Sequence, residues 1–208
     1  NNSNSGITTI NAGMLQIGAG GTTGTLGSGG VTNNGSLVIN RSNDLTVANA
    51  ISGSGSFTQT GTGRTTLGGT NSYTGATTIN AGVLNVTALA NGGSSSNIGA
   101  ASNAAENLVI NGGTLEYSGA ANVSTDRLFS VGIGSAVINV TGSGTVNFTN
   151  TGSMGFNGQS GERNLLLTGT NTGVNIIAAS IGDFGGATSV TIDGNATWLL
   201  TAVNTYTG

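Results

Sequence analysis

Apolar residues in this chain recur at every second position in short bursts: Leu15 and Ile17, Leu37 and Ile39, Leu84 and Val86, Leu115 and Tyr117, Val146 and Phe148. Clusters of Gly, Asn and Ser separate the bursts. Alternation of this kind marks strands with one buried face, and the small polar clusters supply the turns between them. No stretch keeps the 3.6-residue spacing of an amphipathic helix. The 39 glycines would each weaken a helix by about 1 kcal/mol relative to alanine. The pattern predicts an all-β chain with no large helices.

The bursts also repeat. Gly6-Ile-Thr-Thr-Ile-Asn-Ala-Gly-Met-Leu-Gln-Ile17 returns further along as Gly75-Ala-Thr-Thr-Ile-Asn-Ala-Gly-Val-Leu-Asn-Val86. Looser copies lie at 32–39, 110–117 and 144–148, so that Gly13, Gly35, Gly55, Gly82, Gly113 and Gly144 follow one another at spacings of 22, 20, 27, 31 and 31. A second element, Leu67-Gly-Gly-Thr-Asn-Ser-Tyr-Thr-Gly75, matches Leu200-Thr-Ala-Val-Asn-Thr-Tyr-Thr-Gly208, with a worn copy at 167–173. Such short periods, made only of strands and turns, point to a coiled parallel sheet, a β-solenoid or parallel β-helix. A jelly roll or up-and-down barrel gives short strands too, but has no reason to repeat a turn sequence. Coils about 4.8 Å apart must make the same turn again and again, and Gly and Asn tolerate the backbone those turns require.

On this reading the chain is one continuous solenoid segment over 1–208, of roughly seven to ten coils and about 35–50 Å long. Asn11, Asn33, Asn80 and Asn111 take equivalent turn positions and predict an asparagine ladder. Leu15, Leu37, Leu84 and Leu115 predict the matching aliphatic stack inside. Asn71, Tyr73 and Gly75, with Asn204, Tyr206 and Gly208, mark the repeated turn of the second element.

Composition narrows the chemistry. Gly, Thr, Asn and Ser make up 120 of the 208 residues, while only 11 are charged, and Lys, His, Cys and Pro are absent. Without His or Cys there is no Ser-His-Asp triad, no thiol nucleophile and no ordinary zinc or haem site. Four scattered arginines and a net charge of −3 provide no basic stripe for nucleic acid. No apolar run approaches the ~18 residues of a membrane span. The 36% apolar content, regularly spaced, argues against a flexible linker. Absent Pro suits central strands, from which it is excluded.

The segment Gly61-Thr-Gly-Arg-Thr-Thr-Leu-Gly-Gly-Thr-Asn-Ser-Tyr-Thr-Gly-Ala-Thr-Thr-Ile-Asn-Ala-Gly-Val-Leu-Asn-Val86 resembles the autotransporter-associated β-strand repeat, also called the passenger-associated repeat. Asn71, Tyr73, Thr74, Gly75, Thr77, Thr78, Ile79, Gly82, Leu84 and Val86 fall on that family's pattern. Thr65 stands where the pattern has Leu. Residues 1–17 carry the back half of another copy and residues 196–208 the front half of a third. The resemblance implies a right-handed parallel β-helix in the passenger region of a large exported protein of a Gram-negative-type envelope. It further implies display at the cell surface outside the outer membrane, adhesion or self-association, and no enzymatic activity in the repeat.

Among candidate sites, Glu106, Glu116, Asp126 and Arg127 would lie near one another if the coils stack in order, as acids do in polysaccharide-cleaving β-helices. Asp183 and Asp193 flank Gly185-Gly186 and invite a calcium reading, but two acids are few and the Gly-Gly-x-Gly-x-Asp nonapeptide is absent. Thr58, Thr60 and Thr62, with Thr168, Thr170 and Thr172, are outward β-branched residues on a few coils only. Tyr73, Tyr206 and Trp198 are candidate sugar platforms, although the shared repeat position of the two tyrosines favours packing. The expectation is therefore no catalytic, metal or cofactor site. Residues 1–208 begin and end at nearly the same phase of the repeat, without charged or helical caps, which predicts either a segment of a longer solenoid or copies stacking head-to-tail. The leading reading is a non-enzymatic shaft of a surface adhesin or filament. Its partners are itself, neighbouring repeats and host or matrix glycans, with neither nucleic acid nor membrane insertion. The alternative is a polysaccharide-binding or polysaccharide-cleaving β-helix.

Overall fold

The computed structural model describes residues 2–208, and the protein winds through eight coils of short parallel strands. The first coil holds β1 (Thr8–Ile10) and β2 (Met14–Ile17); the second β3 (Val31–Asn33), β4 (Ser36–Ile39) and β5 (Leu45–Val47). The third holds β6 (Ile51–Ser52), β7 (Ser56–Gln59) and β8 (Arg64–Leu67); the fourth β9 (Thr77–Ile79) and β10 (Val83–Val86). The fifth has β11 (Leu108–Ile110), β12 (Thr114–Tyr117) and β13 (Val123–Thr125); the sixth β14 (Ser130–Val131), β15 (Ala136–Val140) and β16 (Val146–Phe148). The last two have β17 (Arg163–Gly169) with β18 (Val174–Ile177), and β19 (Thr188–Gly194) with β20 (Thr197–Leu200). The only helical turn among the described residues is the 3-10 segment Ala105–Asn107.

Corresponding strands of successive coils pair in parallel and build three faces. The first face is β2-β4-β7-β9-β11-β14 and the second β5-β8-β10-β12-β15-β17-β19. The third is split into β1-β3-β6 and β13-β16-β18-β20. The split falls where residues 87–107 leave the coil. Ser96 of this excursion pairs antiparallel with Asn71, its amide and carbonyl both bonded to Asn71 at 3.2 and 2.9 Å. That pairing satisfies backbone groups of the third side where no coil strand runs beside them.

Alternate residues of each strand point inward, so rows of side chains run along the axis. On the first face one interior row is Ile17, Ile39, Gln59, Ile79, Ile110 and Val131. On the second face one is Leu45, Thr65, Leu84, Leu115, Ile138, Leu167 and Ile192. Most members are fully buried, and each buried Leu or Ile contributes about 1.5–3 kcal/mol. Two polar residues interrupt these rows, Gln59 and Thr65, and they bond each other at 2.7 Å. Gln59 also donates to the carbonyls of Gly61 and Gly63 at 2.8 and 3.2 Å. The buried amide is thereby satisfied, as burial demands.

The repeat copies do not occupy one phase of the coil. Thr8–Ile10 runs on the third face and turns onto the first, whereas its sequence equivalent Thr77–Ile79 runs on the first face and turns onto the second. Leu15 stacks through Leu37 and Phe57 onto Thr77, three coils on, yet its sequence equivalent is Leu84, on the next side of that same coil. The offset between the two repeat copies is thus three coils plus one side. The sides are alike enough, a short strand and a glycine turn, for one sequence to serve at either corner.

Candidate functional site

The ladder positions separate accordingly. Leu15 and Leu37 pair on the first face, Leu84 and Leu115 on the second, giving two aliphatic stacks in place of the single one expected. Asn33 also shifts: it sits opposite Ile10, fully buried, and donates to the Ser56 carbonyl at 2.8 Å. Asn34 takes the corner position instead, its side chain accepting from the Ser54 amide at 3.1 Å. Asn80 and Asn111 follow the paired Ile79 and Ile110, and the Asn111 side chain accepts from the Gly134 amide at 3.0 Å. Asn11 and Asn80 are exposed. The second repeat element keeps one chemistry in both copies. Asn71 accepts from the Ile51 amide and Asn204 from the Ile181 amide, each at 2.9 Å and each one coil back. Tyr73 is fully buried with its hydroxyl 2.7 Å from Thr77 Oγ1, while Tyr206 is half-buried against the core. Gly75 passes so close to the previous coil that a Cβ would meet the Gly55 carbonyl oxygen at 2.5 Å, and Gly208 approaches Ser189 and Thr188 in the same way.

The acids expected near one another lie apart in their bonding. Glu116 belongs to an outward row of the second face, Thr66, Asn85, Glu116, Asn139, Thr168 and Asp193. It forms an ion pair with Arg64 and accepts from Asn85 at 2.9 Å and Asn139 at 3.3 Å. Asp126 accepts from the Gly92 amide at 2.7 Å and from Asn103 at 3.2 Å. Glu106 is exposed on the 3-10 turn. Arg127 is buried, and burial lowers its guanidinium pKa. It donates to the carbonyls of Ala90, Ser94 and Gly99, so its charge clamps the base of the excursion. Asp183 binds the Thr207 hydroxyl and the Thr188 amide, both at 2.7 Å, and these bonds hold its carboxyl below the usual carboxylate range. Asp193 is exposed on β19, and no group of three or more acids converges on a metal position among the described residues.

One cluster has no counterpart among the sequence-derived candidates. Phe156 and Phe184 stack with centroids 5.4 Å apart and planes 16° apart, and the Arg163 guanidinium lies 4.7 Å from the Phe156 centroid. Phe184 is 48% exposed, which makes this the accessible aromatic platform; Tyr73 is sealed inside. Both phenylalanines sit in loops of neighbouring coils, outside every strand, so no alternation marked them. The one sequence cue is the pair of local motifs Gly155-Phe156 and Phe184-Gly185, aromatics beside turn glycines.

A β-solenoid of parallel coils, with polar rows outside and its four arginines bound into the scaffold, is the class of protein this geometry defines. Residues 1–17 and 57–86 match the passenger-associated-transport-repeat family, so the protein carries that family's repeat in these segments. It is also 41% identical over 160 residues to an adhesin autotransporter, BmaC, of Brucella suis biovar 1 (strain 1330). The match takes in 76% of this chain and 5% of the relative, so the sequence spans a small fraction of the curated protein it resembles. No solved structure matches it. No helix among the described residues is long and apolar enough to cross a membrane.

Proposed function

We propose that this solenoid is a non-enzymatic shaft segment of a bacterial surface adhesin, displayed outside the outer membrane, where it carries load and spacing rather than chemistry. The observation that carries the reading is the continuous parallel register of the second face, in which seven strands pair without interruption from β5 to β19. At about 4.8 Å per coil, eight coils form a rod of about 38 Å. Pulling on such a rod loads backbone hydrogen bonds and side-chain rows along its whole length. The similarity to an adhesin autotransporter supports the surface role. The bonding of Glu116, Asp126 and Asp183 to scaffold groups supports a structural use of the acids.

The shaft also stacks on further coils, of its own chain or of a second copy. Ile192 and Leu199 leave about half their surface exposed on β19 and β20 of the last coil, and Ile7 and Met14 are exposed in the first coil. Another rung laid on these rows would continue them. The Phe156–Phe184 pair is the surface that would take the apolar face of a host or matrix glycan.

Electron microscopy with sedimentation at rising concentration tests the stacking. Filaments with an axial repeat of about 38 Å per copy support it; single short rods at every concentration reject homopolymer formation. Incubation with neutral and acidic polysaccharides, read as new reducing ends, tests the non-enzymatic role, and any release of reducing ends overturns it.

A further inference from the structure

Four Asn-Gly pairs occur in the sequence, at 34–35, 91–92, 111–112 and 157–158. In such a pair the following backbone nitrogen can attack the asparagine Cγ, because glycine lacks the Cβ that would hinder the approach. The attack requires the glycine N–H to lose its proton and the side chain to swing free of its partners. The fold blocks both requirements at three of the four.

Gly35 donates its amide to Asn33 at 3.2 Å, while the Asn34 side chain accepts from Ser54 at 3.1 Å. Gly92 donates to Asp126 at 2.7 Å, and the Asn91 side chain accepts from the Asp126 amide at 3.0 Å. Gly112 donates to the Ser135 carbonyl at 2.6 Å, and Asn111 accepts from Gly134 at 3.0 Å. At 157–158 neither group has a hydrogen-bond partner among the described residues, and both residues are exposed. Asn157 and Gly158 form the centre of a two-residue turn, with φ of 52° and 65°, closed by the Gln159 amide on the Phe156 carbonyl at 3.0 Å. Nothing lies within 4 Å of the position a Gly158 Cβ would take. One hydrogen bond closes this turn, and Asn157 and Gly158 at its exposed tip make none, so the tip can open while Phe156 and Gln159 stay anchored.

We propose that Asn157 is a site of spontaneous deamidation, selected by the fold from four chemically equivalent pairs. Gly158 N bonds to Asn157 Cγ, the Cγ–Nδ2 bond breaks, and ammonia leaves with the proton lost by the amide. Water then adds to either carbonyl of the resulting succinimide and opens it to an aspartyl or isoaspartyl residue. The net change consumes one water, releases ammonia and one proton, together an ammonium ion, and leaves one negative charge on the protein. That charge appears two residues before Gln159, whose carbonyl binds the buried Arg163 at 2.7 Å.

Ageing the folded protein at mildly alkaline pH, then denaturing and digesting it with trypsin, tests the proposal. Cleavage after Arg41, Arg64, Arg127 and Arg163 places Asn157 in peptide 128–163, Asn34 in 1–41, and Asn91 with Asn111 in 65–127. Peptide 128–163 should acquire the mass of an NH replaced by O at least roughly ten-fold faster than the other two. Equal rates, or an earlier gain in either other peptide, overturn the proposal. Asn157→Gln should abolish the gain in 128–163; its persistence would assign the reaction to another asparagine and reject the site. Ageing in denaturant should bring the peptides to similar rates, and an undiminished lead there would show that the fold selects nothing.

Discussion

At the scale of single residues, the molecule depends on polar side chains that are buried only where they are bonded. Gln59 and Thr65 are the sharpest case, since each replaces an aliphatic residue in an interior row and each satisfies the other. Thr65→Leu restores the family's residue but strips Gln59 Oε1 of its bond, and should destabilise the protein by about 1–3 kcal/mol. Gln59→Leu with Thr65→Leu should recover most of that loss, because both rows become wholly apolar. Urea unfolding of the two singles and the double closes the cycle; an additive double would show the pair is not coupled. Tyr73 gives a pH dependence. Burial pushes its phenol far above the ordinary value, so the fold keeps it protonated and the unfolded chain does not. The stability it contributes is present in full below the unfolded value of about 10 and is lost as pH rises beyond it. Thermal unfolding should therefore fall steeply in that alkaline range, and Tyr73→Phe should flatten the fall while lowering the starting stability. An unchanged slope in Tyr73→Phe would assign the alkaline loss elsewhere.

At the scale of elements, the strands and their inward residues were legible because alternation and glycine turns are local signals. Leu37, Leu84 and Leu115 are buried, and Leu15 on the first coil is partly buried. Which strand lies above which was not legible, because the repeat sequence serves one corner at 6–17 and the next corner at 75–86. Self-similarity reports that two segments make the same kind of side; only coil length decides which side. The coil that brings Phe57 opposite Leu37 is short, whereas the one that brings Leu115 opposite Leu84 is longer because it carries the excursion 87–107. The clamp holding that excursion was equally hidden, since Arg127 reaches Ala90, Ser94 and Gly99 only once a full coil has closed. Arg127→Met should remove the guanidinium from all three carbonyls, leaving Ala90 only Thr125 Oγ1 and Gly99 only Ser96 Oγ, and cost about 1–3 kcal/mol. Hydrogen exchange should then quicken through residues 87–104 while β12 and β15 stay protected. A uniform rise across all strands would instead make Arg127 part of the global core.

At the scale of the whole molecule, each coil pairs its strands only with its neighbours, and the Arg64–Glu116 ion pair is a side-chain contact that reaches across one coil, so stability is close to a sum over coils and their interfaces. A coil is then a unit that can be removed without rebuilding the rest, provided the cut respects register. Leu45 lies opposite Thr65, and Thr65 opposite Leu84. Deleting residues 46–65 therefore places Leu45 directly against Leu84 and joins it to Thr66, preserving the alternation of inward and outward positions. The same deletion removes Gln59 together with Thr65, so neither of that pair is left without the other. Arg64 goes too, but Glu116 retains Asn85 and Asn139. The shortened protein should keep its β-sheet circular dichroism and cooperative melt, with a rod shorter by about 4.8 Å in solution scattering. Deleting 46–55 alone should not, because half a coil sets the strands of one face against the turns of another. Equal loss of structure in both deletions would mean that the solenoid folds as one indivisible unit, and its length could not then be adjusted coil by coil as a shaft requires.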